Sequence, residues 1–133
     1  MRSTPALRAF HRPRAWLVLW ALMIVAVIVL SLMPQPPIPP TLMIGKLDHL
    51  IAYATLAAMA VQLYATRRVQ WRAGLALISL GIALELAQGF LTSYRHMAAY
   101  DALTDALGVV LGIATAWTPS AKWLQRIDAR LLR

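Results

Sequence analysis

The segment "AWLVLWALMIVAVIVLSLM", Ala15 to Met33, runs nineteen residues without a charge. At 1.5 Å per helical residue it covers about 28 Å, close to the hydrocarbon thickness of a bilayer. Four arginines, Arg2, Arg8, Arg12 and Arg14, precede it, as they would in a signal peptide. The run is long for a signal-peptide core, and "SLMPQPP" offers no small-x-small cleavage site, so it reads as a retained membrane helix.

The rest of the chain agrees with that solvent. Of 133 residues 60% are hydrophobic and only 14% charged, too apolar a balance for an ordinary soluble domain. One all-α membrane unit spanning residues 1–133 is expected, because helices satisfy their own backbone in lipid. The chain has no cysteine, which removes thiol nucleophiles, thiolate metal sites and disulfides.

The net charge of +8 would suit nucleic acid, but its distribution argues otherwise. Eleven of the thirteen Lys and Arg fall in three blocks: the four N-terminal arginines; Arg67, Arg68 and Arg72; and Lys122, Arg126, Arg130 and Arg133. Each block flanks an apolar run, where cations meet anionic lipid heads and resist translocation. Membrane lipid, and no nucleic acid, is the partner this pattern implies.

"PQPPIPP", with five prolines within Pro34 to Pro40, cannot continue a helix and is expected as a stiff spacer. Further spans are predicted over residues 47–66, 73–91 and 99–117, after the first at 15–33. The connections at 67–72 and 92–98 are short enough to make neighbours antiparallel. The expected fold is a four-helix transmembrane bundle. Positive charge puts both termini in the cytoplasm, since the two other loops hold only Lys46 and Arg95. Trp16, Trp20, Trp71, Trp117 and Trp123 all fall near that inner interface. The tail "AKWLQRIDARLLR" spaces Trp123, Ile127 and Leu131 at i, i+4 and i+8, which predicts a short amphipathic helix on the inner surface.

On this topology the polar residues segregate. Lys46, Asp48 and His49 open the second span, Glu85 and Gln88 lie near the outer end of the third, Arg95 is in the outer loop, and Asp101 and Asp105 open the fourth. Four of five carboxylates share this side; Asp128 alone is in the tail. His49 with Tyr53, Glu85 with Gln88, and Asp101 with Asp105 are each spaced to share a helix face. Gly81, Gly108 and Gly112 extend these faces as small-residue positions for close helix packing. A carboxylate facing lipid costs about 2.5–3.5 kcal/mol, so Glu85 is expected to turn into the bundle or stay protonated.

The stretches "GKLDHLIAY", "ELAQGF" and "RHMAAYDALTDALG" together resemble the VanZ-like family of small bacterial membrane proteins. That family commonly reads D-K-x-x-H-x-x-x-Y, then E-x-x-Q, then R followed six residues later by D-x-x-x-N-x-x-G. Lys46, His49, Tyr53, Glu85, Gln88, Arg95, Asp101 and Gly108 match, over a motif-bearing region of about residues 46–112. Gly45 stands where Asp is common, and Asp105 where Asn is usual. The resemblance implies a role in the bacterial cell envelope, in the cytoplasmic membrane, with a family link to resistance to the glycopeptide teicoplanin. It implies no defined reaction.

Three functions fit these residues. One is an outward polar pocket for a lipid headgroup or lipid-linked envelope precursor, with Lys46, His49 and Arg95 contacting phosphate or carboxylate and the acidic groups orienting them. Another is a membrane-embedded hydrolase or transferase using His49 or Glu85 as base. The third is a non-catalytic partner of envelope machinery, or a homo-oligomer, docking through the glycine faces. No cofactor is expected. His49, Glu85 and Asp101 are a conceivable divalent-ion set, but no metal-ligand spacing such as HExxH supports one.

Overall fold

The computed structural model describes residues 6–34, 42–93 and 99–131, with the backbone alone at 42–46. The proline-rich spacer beyond Pro34, the Lys46 side chain and Arg95 therefore lie outside the described residues.

The first helix, α1, spans Pro13–Leu32, with proline in its first turn where a missing N–H costs nothing. α2 covers Leu42–Leu63, α3 Arg67–Leu91 and α4 Ala99–Ala114. Two 3-10 turns, Thr115–Trp117 and Pro119–Lys122, lead into a short α5, Trp123–Arg130. Among the described residues there is no strand beyond a single bridge between Leu7 and Tyr64. Three helices are long and apolar enough to cross a membrane: Pro13–Leu32, Arg67–Leu91 and Ala99–Trp117.

Two boundaries differ from the sequence expectation. α2 begins at Leu42, not residue 47, because Gly45 does not interrupt it. His49 therefore sits two turns inside the helix instead of at its mouth. The basic stretch Arg67–Arg72, read as a connection, is the first part of α3. Arginine is a good helix former, and charge at a helix end reports solvent contact, not a break in the helix. Thr66 starts this helix, its carbonyl accepting from the Val69 and Gln70 amides at 3.1 Å.

Side-chain contacts fix which ends lie together. The Arg67 guanidinium donates to the Ala116 carbonyl at 3.0 Å and stacks on the Trp117 ring, joining the start of α3 to the exit of α4. At the opposite end Gln88 Nε2 donates to the Ser31 carbonyl at 2.9 Å, joining the ends of α3 and α1. The four long helices thus alternate in direction.

Most of the core lies between α2, α3 and α4, as Tyr53, Leu56, Ala57, Val61, Leu77, Val109 and Ile113. α2 and α4 make the closest pair, and their glycines explain why. A Cβ on Gly108 would lie 2.6 Å from the Leu50 carbonyl oxygen, and one on Gly112 would meet the Ala54 carbonyl oxygen and the Ala57 side chain. Only hydrogen at these positions lets the backbones come so near. These small-residue faces are filled by α2 of the same chain. α1 is peripheral: it has no fully buried residue, and Val18, Leu22, Val25 and Leu30 remain exposed.

The end carrying the basic blocks is closed by the N-terminal segment. The last carbonyls of α2 lack intrahelical partners. Arg8 supplies them, its amide donating to Leu63 O at 2.9 Å and its guanidinium to Val61 O at 3.2 Å. A cation there also complements the helix dipole. Leu124 of α5 packs with Met59 and Leu63, and its amide donates to Gln62 Oε1 at 2.8 Å.

α5 is the amphipathic helix expected from the tail. Its protein-facing side is Leu124 and Asp128, while Trp123, Ile127 and Leu131 form an exposed stripe. Asp128 is only 1% exposed. It accepts the Trp16 indole N–H at 2.8 Å, the His11 amide at 2.6 Å, and a contact from His11 Nδ1 at 3.2 Å. Burial alone would raise this carboxyl, but the Trp16 bond and then the two His11 bonds outweigh it and hold it below the ordinary aspartate value. Trp20 likewise spends its N–H inside, on the Leu56 carbonyl at 3.0 Å. Trp16 and Trp20 are structural donors, whereas Trp71, Trp117 and Trp123 are exposed.

Candidate functional site

At the other end, side chains from α2, α3 and α4 converge. His49 Nδ1 of α2 lies 2.9 Å from Asp105 Oδ1 of α4. Asp105 is 2% exposed, so its carboxylate is solvated mainly by protein, the His49 imidazole among its contacts. The space it occupies exists because residue 81 is glycine. A Cβ on Gly81 would come 2.8 Å from Asp105 Oδ2 and 3.3 Å from the Tyr53 hydroxyl. Asp105 and the buried Tyr53 thus share a niche against the α3 backbone.

Glu85 of α3 and Asp101 of α4 complete the group. One ligand-type atom from each of His49, Glu85 and Asp101 lies within 4.8 Å of the others. Glu85 is buried, whereas His49 and Asp101 are half-buried, so the cluster opens on one side. Helical geometry accounts for this: Asp101 and Asp105 are one turn apart on α4, and His49 and Tyr53 one turn apart on α2. Each helix therefore offers one deep residue and one nearer the opening. The two aspartates divide their work, Asp105 holding the His49 ring and Asp101 standing beside Glu85.

Of the residues picked out from sequence, His49, Tyr53, Glu85, Asp101 and Asp105 come together, with Gly81 behind them. Gln88 does not join in the expected way. It is buried, but its amide N–H is directed to Ser31 of α1, so it ties helices together. Asp48 is exposed and is not one of the three converging ligand groups. Lys46 and Arg95, the cations expected here, lie outside the described side chains. Asp128 is the carboxylate whose partners sequence reasoning missed, because His11 and Trp16 lie more than a hundred residues away along the chain.

The arrangement can do two things chemically. A histidine with one nitrogen held by a buried carboxylate has its tautomer and orientation fixed, leaving the other nitrogen for a ligand or a proton. Carboxylates at the opening can accept hydroxyl, ammonium or cationic groups. The helices, apolar and long enough to cross a bilayer, set this site in a protein of membrane type. Comparison with family models, with curated proteins and with solved structures gives no match.

Proposed function

We propose that this chain is a four-span protein of the bacterial cytoplasmic membrane, both termini cytoplasmic, of the VanZ-like type that its motifs resemble. α2, Leu42–Leu63, is the fourth span in this reading. The cluster of His49, Tyr53, Glu85, Asp101 and Asp105 then opens toward the outer leaflet. Its role is to bind the headgroup of a lipid or of a lipid-linked envelope precursor. Lys46 and Arg95 add the positive charge that a phosphate or carboxylate requires. The tie to glycopeptide resistance follows from the family resemblance.

The observation that carries this reading is the convergence of four ionisable groups from three helices at one end, opposite the basic blocks. Simple helix adhesion is a weak alternative explanation, since interhelical polar bonds in membranes contribute only about 0.6 kcal/mol on average. Native mass spectrometry of gently extracted protein tests it. The wild type should retain a lipid or glycolipid mass that Arg95→Ala loses; identical spectra would contradict the pocket.

A second reading has its own support in the His49–Asp105 hydrogen bond. A base held by a buried carboxylate beside a second carboxylic acid, Glu85, is the arrangement of a general acid–base pair. In this version the protein hydrolyses or transfers the headgroup it binds. Producing cells that keep an unchanged teicoplanin response with both His49→Ala and Glu85→Gln would end it.

A further inference from the structure

We propose that His49, Glu85 and Asp101 form a binding site for one divalent transition-metal ion of the zinc class, with Asp105 as the residue that orients the imidazole. The inference concerns the same cluster as the headgroup reading but does not depend on it.

Geometry is the first support. With the three ligand atoms within 4.8 Å of one another, none is more than about 2.8 Å (4.8 Å divided by √3) from a common centre, against the 2.0–2.2 Å of a zinc–ligand bond. Ordinary side-chain torsional adjustment closes that gap. The three ligands come from α2, α3 and α4, whose relative positions are fixed by the glycine contacts already described.

The second support is the Asp105 contact. A metal-bound histidine nearly always donates its other ring N–H to a carboxylate or carbonyl, which sets the tautomer. His49 Nδ1 already does this with a buried aspartate, so Nε2 is the nitrogen left for a cation.

Charge and donor type define the class. Neutral imidazole and two carboxylates carry a formal charge that matches a 2+ ion. One nitrogen and two oxygens suit Zn²⁺, Mn²⁺ or Fe²⁺; magnesium and calcium prefer oxygen alone, and copper(I) prefers sulfur. Three protein ligands leave a coordination position for water or an anionic oxygen.

The test uses the full chain in detergent micelles, purified without a histidine tag and stripped with chelator, then titrated with zinc chloride by calorimetry. One zinc per chain is expected. Glu85→Gln and Asp101→Asn should each weaken it by more than about tenfold, and Asp105→Asn by about 10- to 100-fold, as for orienting residues elsewhere. His11→Ala, at the opposite end, should bind as the wild type does. X-ray absorption of the zinc-loaded wild type, which needs no variant to fold, should show one imidazole with oxygen ligands. A wild type that binds no zinc, full binding by Glu85→Gln and Asp101→Asn, or a spectrum with two or more imidazoles would overturn the site. Failure to bind zinc alongside a retained lipid mass would leave the headgroup reading standing; zinc without any retained lipid would do the reverse.

Discussion

Asp105, buried on α4, holds the His49 ring of α2 at 2.9 Å in a niche that exists only because residue 81 of α3 has no side chain. One hydrogen bond and one glycine thus link three helices at the end where the acidic residues gather. Replacing Asp105 by Asn keeps the shape and removes the charge. A hydrogen bond to a charged group contributes about 1.5–3 kcal/mol, so Asp105→Asn should lower stability by an amount in that range. Thermal unfolding in detergent, with His49→Ala and the double variant, measures it; strictly additive losses would show that the two residues do not interact.

The glycines should differ in cost according to what a methyl group would strike. At Gly112 it meets the Ala54 carbonyl and the Ala57 side chain, backbone and packed methyl that cannot move aside, so Gly112→Ala should destabilise by about 1–3 kcal/mol. At Gly74 the nearest atoms are ends of the Val109 and Ile113 side chains at 3.3–3.4 Å, which can shift. Gly74→Ala should be near neutral, helped by up to about 1 kcal/mol of helix propensity. The ranking is read from melting temperatures of the two variants.

Gly81→Ala tests the site more than the fold. Its methyl would lie 2.8 Å from Asp105 Oδ2, so the carboxylate must leave its niche and release His49. Zinc affinity should fall by about 10- to 100-fold, as for loss of an orienting carboxylate, while the helix content by circular dichroism stays unchanged. Unaltered affinity would show that the niche does not position the imidazole.

At the opposite end the pH dependence has a definite sign. The folded state holds Asp128 below its ordinary value, so its contribution is complete above about pH 4, the unfolded aspartate value, and is lost as pH falls through the lower folded one. Asp128→Asn removes that dependence. Protection of the amides of residues 6–12, measured by hydrogen exchange relative to their intrinsic rates, should fall on acidification in the wild type; in Asp128→Asn it should already be low at neutral pH.

What could be read from the sequence followed local patterns. The apolar runs gave the long helices, and the one-turn spacings of His49–Tyr53 and Asp101–Asp105 gave shared faces that the structure brings together. The start of α3 was hidden because Arg67, Arg68 and Arg72 mark contact with water, which a helix end and a loop share. Gln88 was grouped with Glu85 by spacing, yet Ser31 of α1 takes its amide. The Asp128 cluster and the Arg8 cap were invisible because both pair residues far apart in sequence, and no periodicity encodes such a pairing.

Sidedness decides whether the three helices share one outward site, and a chain without cysteine makes it a clean measurement. Single cysteines placed at Asp48, Arg95, Arg68 and Arg130 would be exposed to a membrane-impermeant maleimide in right-side-out vesicles. Positions 48 and 95 should label from outside, and 68 and 130 only after the membrane is opened. Positions 48 and 95 reacting from opposite faces would contradict a single outward site shared by α2, α3 and α4.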